Sequence, residues 1–352
     1  MDSSSHKFPY EWKLSDGYPA KGIEKHGSTV FSCFACGGGS SLGYKLAGYD
    51  VIGVNDIDPK MMQIYIQNHH PKHTYLEDIR IFNGREDLPE ELFNLDVLDG
   101  SPPCSSFSLA GSREDGWGKE KKFREGQAHQ ILDDLFFHFI DTVKKLQPKI
   151  VIAENVAGIL IGNAKGYVIQ IVQAFNDAGY DVQIFSLNAA SMGVPQRRQR
   201  AFFMCSRKDL KLPKINLQFN EPPLKFGAVR SKNASPKVVG GQASIVLPMR
   251  TSSDTCMNDI NQRLYGKQSG FTNSIVRDFE VCPTIVSQSV IYRGFDGGFL
   301  SDEDLIHVGT FPSDYDFCGL QLKYVIGMSV PPVMCAQVSH QVYLQWLSKV
   351  SL

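Results

Sequence analysis

From about residue 28 the chain alternates short apolar runs with stretches whose apolar positions recur every three to four residues. This is the pattern of a largely parallel sheet flanked by helices. Residues 30–34 predict a first strand, 41–48 a short helix and 51–56 a second strand. Residues 59–68 predict a helix with Pro59 in its first turn, where the missing N–H is harmless. A later strand is expected over 95–100. Residues 127–146 then place Ile131, Leu135, Phe139 and Val143 on one helical face, ahead of a strand over 150–154. A helix over 164–178 and strands over 181–188 and 201–206 bring the sheet to six or seven strands. The expected fold class is α/β, a Rossmann-like mixed sheet with helices on both faces.

After Ser206 this rhythm breaks. Pro-, Ser- and Asn-rich segments, such as Glu221-Pro222-Pro223 and residues 231–236, separate short strand-like pieces, which predicts a smaller, irregular β-rich module. Residues 331–348 look helical, with Val333, Ala336, Tyr343, Leu344 and Leu347 on one stripe, and are expected to return to the first domain. The expected organisation is an extension over 1–28, the sheet domain over 29–206, the irregular module over 207–305 and the return over 306–352.

Composition changes this picture little. A chain of 352 residues, 42% hydrophobic and 21% charged, can bury two ordinary cores and is neither disordered nor collagen-like. No apolar run approaches bilayer length and residues 1–25 are polar, so a cytoplasmic location is expected, nucleoid-associated if the host is bacterial. The net charge of −1 conceals thirteen Lys and Arg against seven Asp and Glu over residues 207–300. That excess fits a nucleic-acid partner, although solvated lysines would give the same count. The eight cysteines are too scattered for a disulfide framework, and the Cys33/Cys36 pair, with no second pair, reads as packing. His69, His70, His129, His138 and His340 are not set with acids or cysteines at ligand spacing, so no metal is expected.

Candidate chemistry clusters at the carboxyl ends of the predicted strands, where ligands of such sheets bind. The first turn, Phe34-Ala35-Cys36-Gly37-Gly38-Gly39, would let a ligand approach the backbone closely. Strand two ends in Asn55-Asp56-Ile57-Asp58, and a carboxylate there can accept both hydroxyls of a ribose. A tight turn with a solvated strand end would look the same, and nicotinamide, flavin and S-adenosylmethionine all remain open on these residues alone. The next strand runs into Gly100-Ser101-Pro102-Pro103-Cys104, where two prolines fix the backbone before a single thiol. A carboxylic acid, Glu154 in Glu154-Asn155-Val156, ends the following strand.

With Gln196-Arg197-Arg198-Gln199-Arg200 following these in order, the sequence resembles the cytosine-C5-specific DNA methyltransferases of bacterial and phage type, over most of the chain from Thr29 except the irregular module. The resemblance implies a methyltransferase sheet that binds S-adenosylmethionine and a target-recognition domain over 207–305. It implies that Cys104 attacks C6 of a flipped-out cytosine, so that C5 takes the methyl group and S-adenosylhomocysteine is left. Glu154, protonated, would donate to N3, and Arg200 would contact O2, with Arg198 beside it. For the cofactor it implies Phe34 against the adenine, residues 35–39 (Ala35, Cys36, Gly37, Gly38, Gly39) near the methionine end, Asp56 on the ribose and Ile57 beside the base. Asp78 and Ile79 look like the pair at the adenine edge; Pro103, Leu135, Ser329 and Val330 match further cofactor positions. Three departures stand out: Ser32 where the family usually has an acid, Cys36 for a glycine, and Met328 for an asparagine.

The implied partners are double-stranded DNA and a cognate restriction endonuclease acting in trans, with a monomeric enzyme. Residues 112–126, rich in glycine and lysine, look like a lid over the flipped base, and Arg250, Arg263 and Lys267 are candidate base readers. Residues 277–279 and 282–285 resemble the family segment that organises the recognition domain. Three other readings compete: a tRNA or RNA cytosine-5 methyltransferase, a catalytically silent regulatory relative, and a nicotinamide oxidoreductase. The third leaves Cys104, Glu154 and Arg200 unexplained.

Overall fold

The computed structural model describes residues 6–103, 134–233, 237, 240–268, 273–287 and 290–350. They divide into two compact units, each assembled from separated stretches of chain. The larger comprises Tyr18–Leu187, Gln199–Gln218 and Cys335–Leu352. The other comprises Met1–Gly17, Asn188–Arg198 and Phe219–Met334, so its limits differ from the expected 207–305.

The larger unit is built on β1 (Thr29–Cys33), β2 (Asp50–Asp56), β3 (His73–Leu76), β4 (Val97–Gly100), β5 (Ile150–Val156), β6 (Tyr180–Asn188) and β8 (Gln199–Arg207). A two-residue strand, β7 (Gln196–Arg197), precedes β8 and belongs to the other unit. The sheet order is β3-β2-β1-β4-β5-β8-β6. Strands β1 to β5 pair in parallel, whereas β8 runs antiparallel to β5. The expected mixed α/β sheet is therefore the observed one.

Between the strands lie α1 (Gly39–Leu46), α2 (Pro59–His69), α3 (Ile79–Gly84), α4 (Leu135–Leu146) and α5 (Lys165–Asp177). Pro59 opens α2, and Asp58 caps it by accepting from the Lys60 and Met61 N–H groups at 2.9 and 3.3 Å. In α4, Leu135, Phe139 and Val143 are all buried, as the periodicity predicts; Ile131 lies outside the described residues. Phe136 and Phe203 meet at 5.2 Å between ring centroids, and Phe31 and Phe82 at 5.3 Å. Fully burying one such ring contributes about 1.5–3 kcal/mol.

Strand β3 and helix α3 were not expected from the sequence. Their segment is short, and β3 sits at the sheet edge with alternate residues exposed, so it shows no apolar run. The C-terminal helix α11 (Pro332–Gln345) departs from a single stripe: Val333, Ala336 and Leu347 are buried, but so are Met334, Cys335, Gln337, Val338 and Ser339, while Leu344 is exposed. It is enclosed over most of its surface, not amphipathic.

The smaller unit is irregular but not β-rich. Its described elements are α6 (Phe226–Val229), α7 (Gly241–Val246), α8 (Met257–Tyr265), α9 (Asp302–Gly309), α10 (Leu322–Met328) and the two- or three-residue strands β9 (Ser274–Val276), β10 (Cys282–Pro283) and β11 (Ile291–Arg293). A small core of Val246, Leu247, Met257, Ile260, Ile275 and Tyr292 holds part of it. Fully buried Arg293 pairs with buried Asp304 at 3.2 Å and also donates to the carbonyls of Ser231 and Asn233. Such an ion pair fixes loop geometry wherever its hydrogen bonds are satisfied.

One close approach constrains the strand that leads towards Cys104. A Cβ at Gly100 would lie 2.6 Å from Cζ of Phe139, a fully buried ring with nowhere to move. Gly100→Ala is therefore expected to cost about 1–3 kcal/mol of unfolding free energy in urea titration. An unchanged midpoint would mean that α4 yields freely at this contact.

Candidate active site

The first strand-to-helix turn adopts a conformation that side chains normally avoid. Phe34 and Cys36 have φ of 53° and 50°, and Gly38, which precedes α1, has φ of 79°. Only glycine adopts this region without strain, so the two non-glycine residues need outside support. Asp56, at the end of β2, provides it: Oδ2 accepts from the Cys36 N–H at 2.8 Å, and Oδ1 accepts from the Asp58 N–H at 2.8 Å. Burial pushes the Asp56 carboxyl up to about 6, against these backbone donors. Each oxygen keeps a lone pair for another hydroxyl.

Around this turn the larger unit gathers Phe34, Ala35, Cys36, Gly37, Gly38, Gly39 and Asp56, with Ile57 exposed next in the chain. Phe34 meets Phe139 edge to face at 6.4 Å, next to buried Leu135. Asp78 caps α3, and both its oxygens are engaged by Arg80, through the backbone N–H at 2.8 Å and the guanidinium at 3.0 Å. Ile79 is buried behind it. Cys33 and Cys36 are free thiols.

A second group lies on β4, β5 and β8. Gly100 of β4 pairs with Ala153 of β5, and Ser101, Pro102 and Pro103 follow. The Ser101 N–H reaches the Cys33 carbonyl at 3.4 Å, and the Asn155 side-chain amide donates to the Pro102 carbonyl at 3.1 Å. Asn155 was not expected to matter; its place between Glu154 and Val156, on a strand whose neighbour leads to Cys104, was the available signal. Cys104 itself and residues 112–126 lie outside the described residues.

The β5–β8 register sets Val156 against Arg200 and Glu154 against Phe202. Glu154 and Arg200 thus occupy a diagonal pair on one face, and Nε of Arg200 lies 2.8 Å from Oε1 of Glu154. Burial pulls the Arg200 guanidinium below its ordinary value, and Glu154 pushes it back. The pair is one charge-compensated unit.

Three expected site residues fall in the smaller unit. Arg198 is buried, and its two terminal nitrogens donate to the carbonyls of Ile285 and Gly327 at 2.9 and 3.0 Å. Arg198 thus ties together the loops that carry these two carbonyls. Buried Ser329 returns its hydroxyl to the Val325 carbonyl at 2.8 Å, and Val330 is buried next to it. Arg250 donates to the carbonyls of Gly294 and Leu247, and Arg263 pairs with Asp254 at 2.8 Å, so both candidate base readers are engaged within their own unit. Lys267 is exposed. Contrary to the sequence expectation, His138 does have acids at helical spacing, Asp134 and Asp141, within 3.5 and 3.6 Å. Among the described residues, however, no group of three or more His, Cys, Asp or Glu is placed to hold a metal ion, and no helix is long and apolar enough to cross a membrane.

Comparison with known proteins places these motifs. Residues 28–343 match the family of C-5 cytosine-specific DNA methylases. The chain is 35% identical over 187 residues to the type II methyltransferase M.NgoPII of Neisseria gonorrhoeae, covering 52% of this chain and 49% of that one. It is 28% identical over 342 residues to the type II methyltransferase M1.HphI of Haemophilus parahaemolyticus, covering 89% and 86%. With M.NgoPII and M.FnuDI of Fusobacterium nucleatum the match spans about half of each relative's length, 49% and 50%. Among solved structures, the Entamoeba histolytica methyltransferase EhMeth shares the fold with a TM-score of 0.59 at 14% identity, over 90% of this chain and 98% of that one. A prophage-encoded E. coli protein, described as a DNA modification methyltransferase, gives a TM-score of 0.67 at 20% identity, over 92% and 100%.

Removing one member of the ion pair tests its balance. Arg200→Leu leaves the Glu154 carboxylate unpaired and is expected to cost about 2–4 kcal/mol at pH 7.5. Urea titration reads this cost, and an unchanged midpoint would show that the two charges do not stabilise one another.

Proposed function

The chain belongs to the C-5 cytosine-specific DNA methylase family, and from that premise we propose that it is a DNA cytosine-5 methyltransferase using S-adenosylmethionine. The observation that carries this reading is the Glu154–Arg200 pair, at 2.8 Å on a strand hydrogen-bonded beside the one that leads to Cys104. C5 of cytosine is a weak nucleophile until the ring loses its aromaticity. Addition of the Cys104 thiolate to C6 achieves this and makes C5 electron-rich; once C5 carries the methyl group, a base takes the C5 proton and the thiolate leaves C6, which restores the aromatic ring. Negative charge then develops on the ring: the Glu154 carboxyl holds a proton at N3, and Arg200 stabilises O2. Asn155 keeps the approach to Cys104 in place by holding the Pro102 carbonyl.

S-adenosylmethionine supplies an electrophilic methyl group when bound. The residues at the first turn fit it: Gly37 and Gly38 present backbone without side chains, and Asp56 has one free lone pair on each oxygen for the two ribose hydroxyls. Phe34 and Ile57 offer apolar surface for an adenine, with Ile79 and Leu135 buried in the core of the same unit. Asp78 takes one bond from Arg80 on each oxygen, which leaves a lone pair on each to accept from the base edge.

The target base must leave the duplex before a thiol can reach C6. Double-stranded DNA is the proposed substrate, with residues 112–126 as the covering segment and the basic excess over 207–300 as support for phosphate contact. The type II designation of the relatives supports a restriction endonuclease acting in trans.

Plasmid DNA incubated with the wild-type chain and S-adenosylmethionine should show protected cytosines by bisulfite sequencing, and Cys104→Ala should reduce protection to background while retaining DNA binding. A 5-fluorocytosine duplex should trap a covalent adduct with wild type only. Methylation of tRNA but not duplex DNA would overturn the DNA reading, and methylation by Cys104→Ala at the wild-type rate would overturn the covalent route.

Asp56 must be ionised to accept both ribose hydroxyls. Its carboxyl titrates at about 6, so S-adenosylmethionine affinity should be flat above about pH 7 and fall as pH drops through about 6. Asp56→Asn should bind more weakly, with a shallower pH dependence in calorimetry. Unchanged affinity and slope would remove Asp56 from the ribose.

A further inference from the structure

Beneath the first turn lies a buried acid that the mechanism above does not use. Asp99, one residue before the end of β4, is 4% exposed and gathers three hydroxyls. Oδ2 accepts from Ser32 at 2.7 Å and from Ser40 at 2.9 Å, and Oδ1 accepts from Tyr44 at 3.2 Å. Ser32 lies on β1, two residues before Phe34, while Ser40 and Tyr44 lie on α1, just after the glycines. The carboxyl is therefore the point at which strand, turn and helix are tied together.

These partners are neutral. They solvate the carboxylate without cancelling its charge, and in a poorly polarisable surrounding an uncancelled charge acts over several ångströms. Among the described residues, Glu154 on β5, Cys33 on β1, Cys335 on α11 and the phenol of Tyr65 on α2 also interact electrostatically with Asp99, and none of these four brings a positive charge. Burial pushes the Asp99 carboxyl up to about 6, so it is ionised at neutral pH at an energetic cost that a nearby cation would offset.

The register explains where this acid comes from. Ser32 and Asp99 are direct partners on neighbouring parallel strands. Ser32 occupies the position where the resembled family usually carries an acid, and in this chain the carboxylate stands on the neighbouring strand, hydrogen-bonded to the Ser32 hydroxyl.

We propose that Asp99 is an electrostatic positioning residue that favours the cationic methyl donor over the product left after transfer. This rests on the cofactor reading above. S-adenosylmethionine carries a sulfonium and hence one more positive charge than S-adenosylhomocysteine. A fixed negative charge under the turn therefore holds the donor more tightly than the product and aids exchange of one for the other after each turnover. A purely structural Asp99 would support both ligands equally.

The test is calorimetric titration of the full chain with each ligand at pH 7.5, read as the ratio of the two dissociation constants, product over donor. Asp99→Asn keeps the shape and one acceptor but removes the charge, and is expected to lower that ratio by about tenfold. The exchanged pair Ser32→Asp with Asp99→Ser returns the charge from β1 and should restore the ratio to within about threefold of wild type. Equal weakening of both ligands in Asp99→Asn, with the ratio unchanged, would overturn the proposal. Where thermal melting shows Asp99→Asn unfolded, Asp99→Ser takes its place beside the exchanged pair: a ratio that falls in Asp99→Ser and returns in the pair supports the charge, and a ratio unchanged in Asp99→Ser overturns it. Failure of the wild-type chain to bind either ligand would instead overturn the cofactor reading.

Discussion

The antiparallel ladder between β5 and β8 is the constraint on which the site depends. Parallel pairing carries β1, β2, β4 and β5 to a common edge, but only a strand returning in the opposite direction can begin where β5 ends. Arg200, at the start of β8, therefore meets Glu154, near the end of β5, over 2.8 Å. Isolated, either charge at this depth would be strongly disfavoured; paired, each justifies the other's burial. The same ladder fixes Asn155, whose amide holds the Pro102 carbonyl and limits the conformations open to the chain entering Cys104.

A second constraint is the strain in the first turn. Left-handed φ at Phe34 and Cys36 costs on the order of 1 kcal/mol or more per residue. Opposing that are the Asp56 bond to the Cys36 N–H, the turn bond from the Gly38 N–H to the Ala35 carbonyl at 2.9 Å, and the Asp99 cluster below. The turn is thus held between two carboxyls whose burial raises both into the same range, about 6. Such a turn is preorganised, with its energetic cost met by the fold before a ligand arrives.

Much of this was legible in sequence because β1, β4 and β5 are buried along nearly their whole length and are dominated by apolar residues, while the half-buried β2 still carries Val51, Ile52 and Val54. Pro59 and Asp58 marked the start of α2 with equal clarity. Strand β3 was hidden because an edge strand with an exposed face has no such run. The smaller unit reads as β-rich in sequence because its helices run to only four to nine residues, too short for a clear helical periodicity, whereas its described strands are only two or three residues long. Contacts such as Ser32 with Asp99, 67 residues apart in the chain, follow from strand order, which no local pattern encodes.

The run Gln196-Arg197-Arg198-Gln199-Arg200 shows why a motif is not a set of equivalent residues. Its exposure alternates: Gln196 and Arg198 are buried, whereas Arg197 and Gln199 are exposed. Gln196 accepts from the Ile285 N–H and donates to the Val308 carbonyl, and Arg198 donates to the carbonyls of Ile285 and Gly327, all within the smaller unit. Arg200, two residues further on, belongs to the larger unit and pairs with Glu154. Two arginines of identical chemistry are thus divided by what faces them. Two backbone carbonyls accept from Arg198, which ties the loops that carry them together. A carboxylate faces Nε of Arg200 and the Gln199 carbonyl accepts from Nη1 at 2.8 Å, so Nη2 is the nitrogen left to meet a substrate oxygen under the proposed function.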